Sequence, residues 1–83
     1  MNSGFNIESG KLYRSSSPLP VVMWDEPWFE PNGESKSFGF LKPNDPWLAL
    51  TGVTCGLWVH VLSKDKLGFI NLLVFEPKDI HSL

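Results

Sequence analysis

Apolar positions along this chain come in short bursts, and no window of a dozen residues is both free of breakers and helical in period. "LWVHVL" (57–62) alternates Leu57, Val59 and Val61 against Trp58, His60 and Leu62. That is the two-residue period of a strand. "KLYR" (11–14), "VVMW" (21–24), "PWLAL" (46–50), "LGFI" (67–70) and "VFEP" (74–77) are further short runs read as strands. In "ESKSFGFL", Phe38 and Phe40 flank Gly39, which suggests a bulge or a close backbone approach. "KPND" (42–45) is a β-turn signal with Pro in second place, "TGVTCG" (51–56) turns the chain again, and "SKDK" (63–66) is a polar hairpin connection. "NLL" (71–73) is read as one 3₁₀ turn.

These elements predict an all-β domain, a small antiparallel barrel of five or six short strands with one long early loop. Closing the sheet hides an apolar face and removes free edges. Residues 1–10 are expected to be a flexible arm anchored by Phe5 and Ile7, 11–80 the barrel and 81–83 a tail. The expected core is Val21, Leu41, Leu48, Leu50, Val59, Val61, Phe69 and Ile70. In a chain of 83 residues a single domain is expected, and stability has to come from a few large side chains.

Three stretches in order carry a resemblance. "LYRSSSPLPVV" is similar to the opening strand and following L-x-V of SH3-like domains. "GFLKPNDPWLAL" resembles their G-x-L-K-x-G-D stretch, in the bacterial SH3 type above all. "GLWVHVLSKDKLGFINLLVFEP" resembles the G-W-x-x-V stretch that follows. The resemblance covers residues of about 12–77 and implies an SH3-like barrel, with 24–37 as the long loop beside the ligand groove. The sequence departs from the eukaryotic pattern at the groove itself. Only Leu12-Tyr13 remains of the Ala-Leu-Tyr-Asp-Tyr motif, and Asn71, Leu72, Leu73 and Val74 replace Pro-Ser-Asn-Tyr. Leu57 sits near the place of the groove tryptophan, with Trp58 one residue later. A proline-rich peptide in the standard groove is therefore not expected.

Composition narrows the function. Hydrophobic content of 42% with 19% charge fits a globular domain, and a net charge of −2 with seven scattered Lys and Arg offers no track for a phosphate backbone. The N-terminal "MNSGFNIESGK" lacks the basic stretch and apolar core of a signal peptide, and no apolar run approaches the ~20 residues of a membrane span. A cytoplasmic protein is expected. Cys55 is the single cysteine, so no internal disulfide forms, and no Cys/His cluster suits zinc. His60 lies mid-strand and His81 near the C-terminus. Neither is expected to activate a nucleophile, and no phosphate-binding glycine loop is present. No enzymatic activity, metal or cofactor is expected.

What remains is "WDEPWFEPNGE" (24–34), three aromatics among four carboxylates. Pro27 and Pro31 restrict its backbone and Asn32-Gly33 supplies a turn. It is expected to be an ordered loop in which one of Trp28 and Phe29 packs on the barrel and the other meets a partner. Aromatics are enriched in interface cores, and an acidic rim speeds encounter with a basic or Arg-bearing protein. The expected partner-binding residues are Trp24, Asp25, Glu26, Trp28, Phe29, Glu30, Trp47, Trp58 and Phe75. The expected function is a small, free-standing accessory or regulatory protein that binds and modulates a cellular protein, of a size that fits a virus or mobile element. The alternatives are a bacterial SH3-type domain binding cell-wall peptides and, third, a small barrel binding nucleic acid.

Overall fold

The computed structural model describes residues 4–26, 37–54 and 56–83, with Phe38 described by its backbone alone. The chain forms one all-β, antiparallel sheet of seven strands that curls into a half-barrel. The strands are β1 (Leu12–Ser15), β2 (Val21–Trp24), β3 (Ser37–Leu41), β4 (Trp47–Ala49), β5 (Trp58–Ser63), β6 (Lys66–Asn71) and β7 (Ile80–Ser82). Their order across the sheet is β3-β2-β6-β5-β4-β1-β7. Two 3₁₀ turns, Leu72–Val74 and Pro77–Asp79, lie between β6 and β7.

Local chemistry accounts for the turns. Pro43 and Asn44, the latter at φ 65°, reverse the chain between β3 and β4, and the Asp45 amide donates to the Lys42 carbonyl at 3.1 Å. Pro second and a left-handed third residue are the requirements of a type II turn. Lys64 and Asp65 join β5 to β6 with φ 50° and 66°. Positive φ at both central residues matches the right-handed twist of the strands they join. The register of β2 against β3 shifts between Met23 and Trp24, next to the Met23↔Gly39 pair. The anomaly expected at Gly39 is thus a bulge. A methyl group there would meet nothing closer than the Lys66 Nζ at 3.6 Å, so no close backbone approach demands the glycine.

Pairing fixes which face is the core. Tyr13↔Trp47, Ala49↔Val61, Val59↔Ile70 and Val21↔Leu41 all point inward and are buried. Their neighbours along each strand point outward, because side chains alternate. Leu48, Leu50 and Phe69, expected in the core, are therefore half-buried on the other face. Phe69 and Ile70 are adjacent in one strand and cannot both face in. Leu48 and Leu50 give way to Trp47 and Ala49, which are 0% exposed. Met23, Trp58, Leu72 and Phe75 complete the buried apolar set alongside Tyr13 and Ile7.

The segment before β1 and the C-terminal residues both lie on the sheet. Ile7 is buried, Phe5 packs against the core, and the Gly10 amide donates to the Ala49 carbonyl at 2.7 Å. The strand expected at 74–77 is absent. Val74 ends the first 3₁₀ turn and Pro77 opens the second, a first position where proline loses nothing. The last strand is instead Ile80–Ser82, which overlaps the expected tail and pairs with β1 through Tyr13↔Ser82, Arg14↔His81 and Ser15↔Ile80.

Candidate functional site

A cleft of about 490 Å³ opens between β2, the turn before β5 and the first 3₁₀ turn. Pro20 leads into β2, whose Val21 and Met23 are buried while Val22 and Trp24 are half-buried. Pro20, Val22 and Trp24 form one wall. Opposite it lies the Thr54–Leu57 turn. The Thr54 amide and hydroxyl both donate to the Trp58 carbonyl at 2.9 Å, and the Leu57 amide donates to the Thr54 carbonyl at 3.0 Å. Gly56 and Leu57 hold φ 80° and 63°. Leu57 is a bulky residue in a conformation that disfavours side chains, and its carbonyl is tied to the Leu72 amide at 2.8 Å.

Asn71 joins the turn before β5 to the first 3₁₀ turn. Its Nδ2 donates to the Gly56 carbonyl at 3.2 Å, and its Oδ1 accepts from the Leu73 amide at 2.8 Å, capping the 3₁₀ turn. That turn leaves Leu73 and Val74 at 73% and 64% exposed on the rim. Trp58 begins β5 and forms part of the lining although only 1% exposed. Among the described residues of the lining, Asn71 contributes the one amide side chain and none is ionisable. Such a surface takes up apolar groups. Asp25 and Glu26 follow Trp24 directly and are exposed.

The expected binding residues divide into three groups. Trp24 and Trp58 line the cleft, and Asp25 and Glu26 follow Trp24 in the chain without lining it. Trp47 and Phe75 are 0% and 6% exposed and belong to the core, so neither presents a surface to a partner. Trp47 packs its ring 5.2 Å from that of Tyr13, the inward pair set by the β1–β4 register. Trp28, Phe29 and Glu30, with the prolines and the Asn32-Gly33 turn around them, lie outside the described residues, as does Cys55.

Pro20, Val22, Asn71, Leu73 and Val74 line the cleft without having been expected there. The signal for Val22 lies in "VVMW", where apolar residues occupy both parities of one strand. Leu73 and Val74 continue an apolar stretch past the end of β6, into a turn that cannot bury all of it.

Among the described residues no cluster of three or more His, Cys, Asp or Glu side chains could hold a metal ion. Nor is any helix among them long and apolar enough to cross a membrane. Compared with protein families, curated proteins and solved structures, the chain matches none.

Proposed function

We propose that this chain is a non-enzymatic protein-interaction module built on an SH3-like barrel, an accessory or regulatory protein that takes an apolar segment of its partner into the cleft. The observation that carries the reading is the composition of the cleft, whose described lining is apolar apart from Asn71, with the exposed Asp25 and Glu26 next in the chain after its Trp24. An apolar pocket with a small number of placed polar groups is the usual form of a binding site, and the flanking carboxylates favour a partner with a nearby Arg or Lys.

Topology supports the SH3-like part. The stretch β6-β5-β4-β1-β7 forms a continuous run in the sheet, with 3₁₀ turns before the last strand and the β2–β3 pair inserted in sequence between β1 and β4. That insertion stands where the resemblance places the long loop beside a groove. Trp58, not Leu57, then takes the place of the groove tryptophan. Tyr13 is buried and its hydroxyl accepts from the Glu8 amide at 2.8 Å, so it does not serve as a groove tyrosine. The occupant is accordingly an apolar segment with a basic residue, and not a standard proline helix.

Selection from an unbiased peptide-display library tests this, with affinities then measured by tryptophan fluorescence. Enriched peptides should pair large apolar side chains with Arg or Lys. Leu73→Asp, at the exposed rim, should weaken them at least ~tenfold without lowering the melting temperature by more than a few degrees. Joint replacement Asp25→Asn and Glu26→Gln should slow association and flatten its salt dependence. Failure to enrich any such peptide, with retention of the protein on purified cell wall or on single-stranded nucleic acid instead, refutes the reading.

A further inference from the structure

A polar cluster stands at the β1–β7 edge of the sheet, and none of its members lines the cleft. Arg14, the one arginine of the chain, pairs with His81 across the two strands. The Ser16 amide donates to the Asp79 carbonyl at 2.8 Å, and the Leu83 amide donates to the Leu12 carbonyl at 2.9 Å. Arg14 and His81 lie midway between these bonds, with their side chains on one face and their Cβ atoms about 5 Å apart. Ser16, two residues on from Arg14, shares that face. Its hydroxyl donates to the Asp79 carbonyl at 3.4 Å and accepts from His81 Nε2 at 3.0 Å. On the other side of β1, Arg14 Nη1 donates to the Asn44 Oδ1 at 3.0 Å, and the Asn44 amide donates to the Ser15 carbonyl at 2.8 Å. The guanidinium is thus oriented by a neutral amide that is itself tied to β1.

We propose that Arg14, Ser16 and His81, braced by Asn44, bind the phosphoryl group of a phosphate monoester. The charge balance of the cluster supports an anion. Among the described residues Arg14 makes no ion pair. The acidic side chains of the neighbouring turns are engaged elsewhere. Asp45 faces Lys64 at 3.2 Å, Glu76 faces Lys78 at 3.1 Å, and the Asp79 carboxylate accepts from the Glu76 amide at 3.0 Å. An arginine directly opposite a histidine brings together two groups able to carry positive charge, an arrangement that costs stability in a sheet. An anion between them reverses the sign of that term. Arg14 and His81 are both half-buried, where a charge-assisted hydrogen bond is stronger than in bulk water. The donors favour phosphate over carboxylate. The guanidinium fork takes two oxygens, and the Ser16 hydroxyl is held by a 3.4 Å contact long enough to be exchanged for a third. A phosphate monoester offers three terminal oxygens and close to two charges, whereas a carboxylate offers two oxygens and one charge. Ser16 and Asn44 are exposed, so the rest of the ligand stays in solvent and the phosphoryl group alone is read. A single phosphoryl group needs no continuous basic track.

Nuclear magnetic resonance titration of the full chain with O-phosphoserine, at constant ionic strength, tests the proposal. The amide signals of Arg14, Ser16 and His81 should shift together and saturate with one Kd in the millimolar range or below. Arg14→Gln should weaken binding at least ~tenfold, because it removes the charge and the fork. Arg14→Lys keeps the charge and loses the fork, so it should fall between parent and glutamine variant. Ser16→Ala changes an exposed side chain, so the fold should persist while affinity drops at least ~threefold. Leu73→Asp, at the cleft rim, should bind O-phosphoserine as the parent does, which separates this site from the one proposed for the cleft. Shifts that rise linearly through the millimolar range, or that chloride reproduces at equal ionic strength, overturn the proposal. Affinity indifferent to both Arg14→Gln and Ser16→Ala places the site elsewhere and also overturns it. Acetate bound as tightly as O-phosphoserine assigns the cluster to carboxylates, and binding of inorganic phosphate without binding of O-phosphoserine assigns it to the free ion. Either result refutes a monoester site.

Discussion

Asn71 fastens the turn before β5 to the first 3₁₀ turn with one side chain, through the Gly56 carbonyl and the Leu73 amide. Asn71→Ala leaves the helical-turn amide and the loop carbonyl to water. It should cost about 1–2 kcal/mol in urea denaturation and weaken peptide binding by more than that loss of stability explains, since the Leu73 rim loses its cap and its link to Gly56. Asn71→Asp keeps the acceptor for Leu73 and loses the donor to Gly56, so it should retain stability better than alanine while binding remains impaired. Equal binding by parent and alanine variant would show that the walls are held by other contacts. Nothing in the sequence marked Asn71, because capping is visible only once the turn it caps is known. The inward valines were legible, because "WVHV" offers one apolar parity with a histidine on the other. Leu50 was not, because "PWLAL" is apolar at both parities and only the pairing with β1 and β5 decides. Ile70→Ala, at a fully buried position, should cost about 2–5 kcal/mol. Leu50→Ala, half-buried, should cost less than about 2 kcal/mol, and thermal melts of the two variants should separate clearly.

At the scale of elements, "SKDK" forms the hairpin its polarity predicts, with a strained turn. Lys64 and Asp65 both adopt φ above zero, a region that costs a residue with a Cβ roughly 1 kcal/mol or more. Lys64 gains little in return, since its ion pair with Asp45 at 3.2 Å is largely exposed on the lysine side, and such pairs contribute well under 1 kcal/mol. Replacing the pair by Asn-Gly (Lys64→Asn with Asp65→Gly) should therefore stabilise the domain by about 1 kcal/mol, seen as a rise in melting temperature of several degrees. A fall would mean that the ion pair or the Asp65 side chain contributes more than exposure suggests. Turn geometry also replaces the strand expected at 74–77. "VFEP" has strand composition, but Phe75 turns inward to the core just after the first 3₁₀ turn. Asp79 then accepts from the Glu76 amide at 3.0 Å and closes a second turn begun by Pro77. Two successive turns absorb the residues that a strand would have used, and the last strand moves to Ile80–Ser82.

For the molecule as a whole, the sequence made the all-β architecture legible, while strand order came only from structure. Short strands with no helical period admit few folds, yet nothing local says that β1 lies between β4 and β7, or that the last residues return to the first strand. That arrangement has consequences for stability and folding. Tyr13 pairs with Ser82, the Leu83 amide donates to the Leu12 carbonyl at 2.9 Å, and the Ser16 amide donates to the Asp79 carbonyl at 2.8 Å. Contacts so distant in sequence must overcome loop closure before they repay it, so folding should be slow for this size, in the range of milliseconds to seconds by stopped-flow fluorescence. The final residues should also be indispensable. Deleting 80–83 strips β1 of its outer partner, exposes its backbone edge and removes Ile80 from the core margin. Three or four backbone hydrogen bonds at about 1 kcal/mol each, with the apolar area of Ile80, add up to roughly 3–5 kcal/mol. Total stability at this size is about 5 kcal/mol or slightly more, so the truncated chain should be largely unfolded at room temperature, with a collapsed near-ultraviolet circular dichroism signal. Deleting only Leu83, which is 65% exposed and contributes one amide to β1, should cost no more than about 1 kcal/mol. If the chain lacking 80–83 melts within a few degrees of the parent, these residues are a tail in solution, and β1 is held by β4 alone.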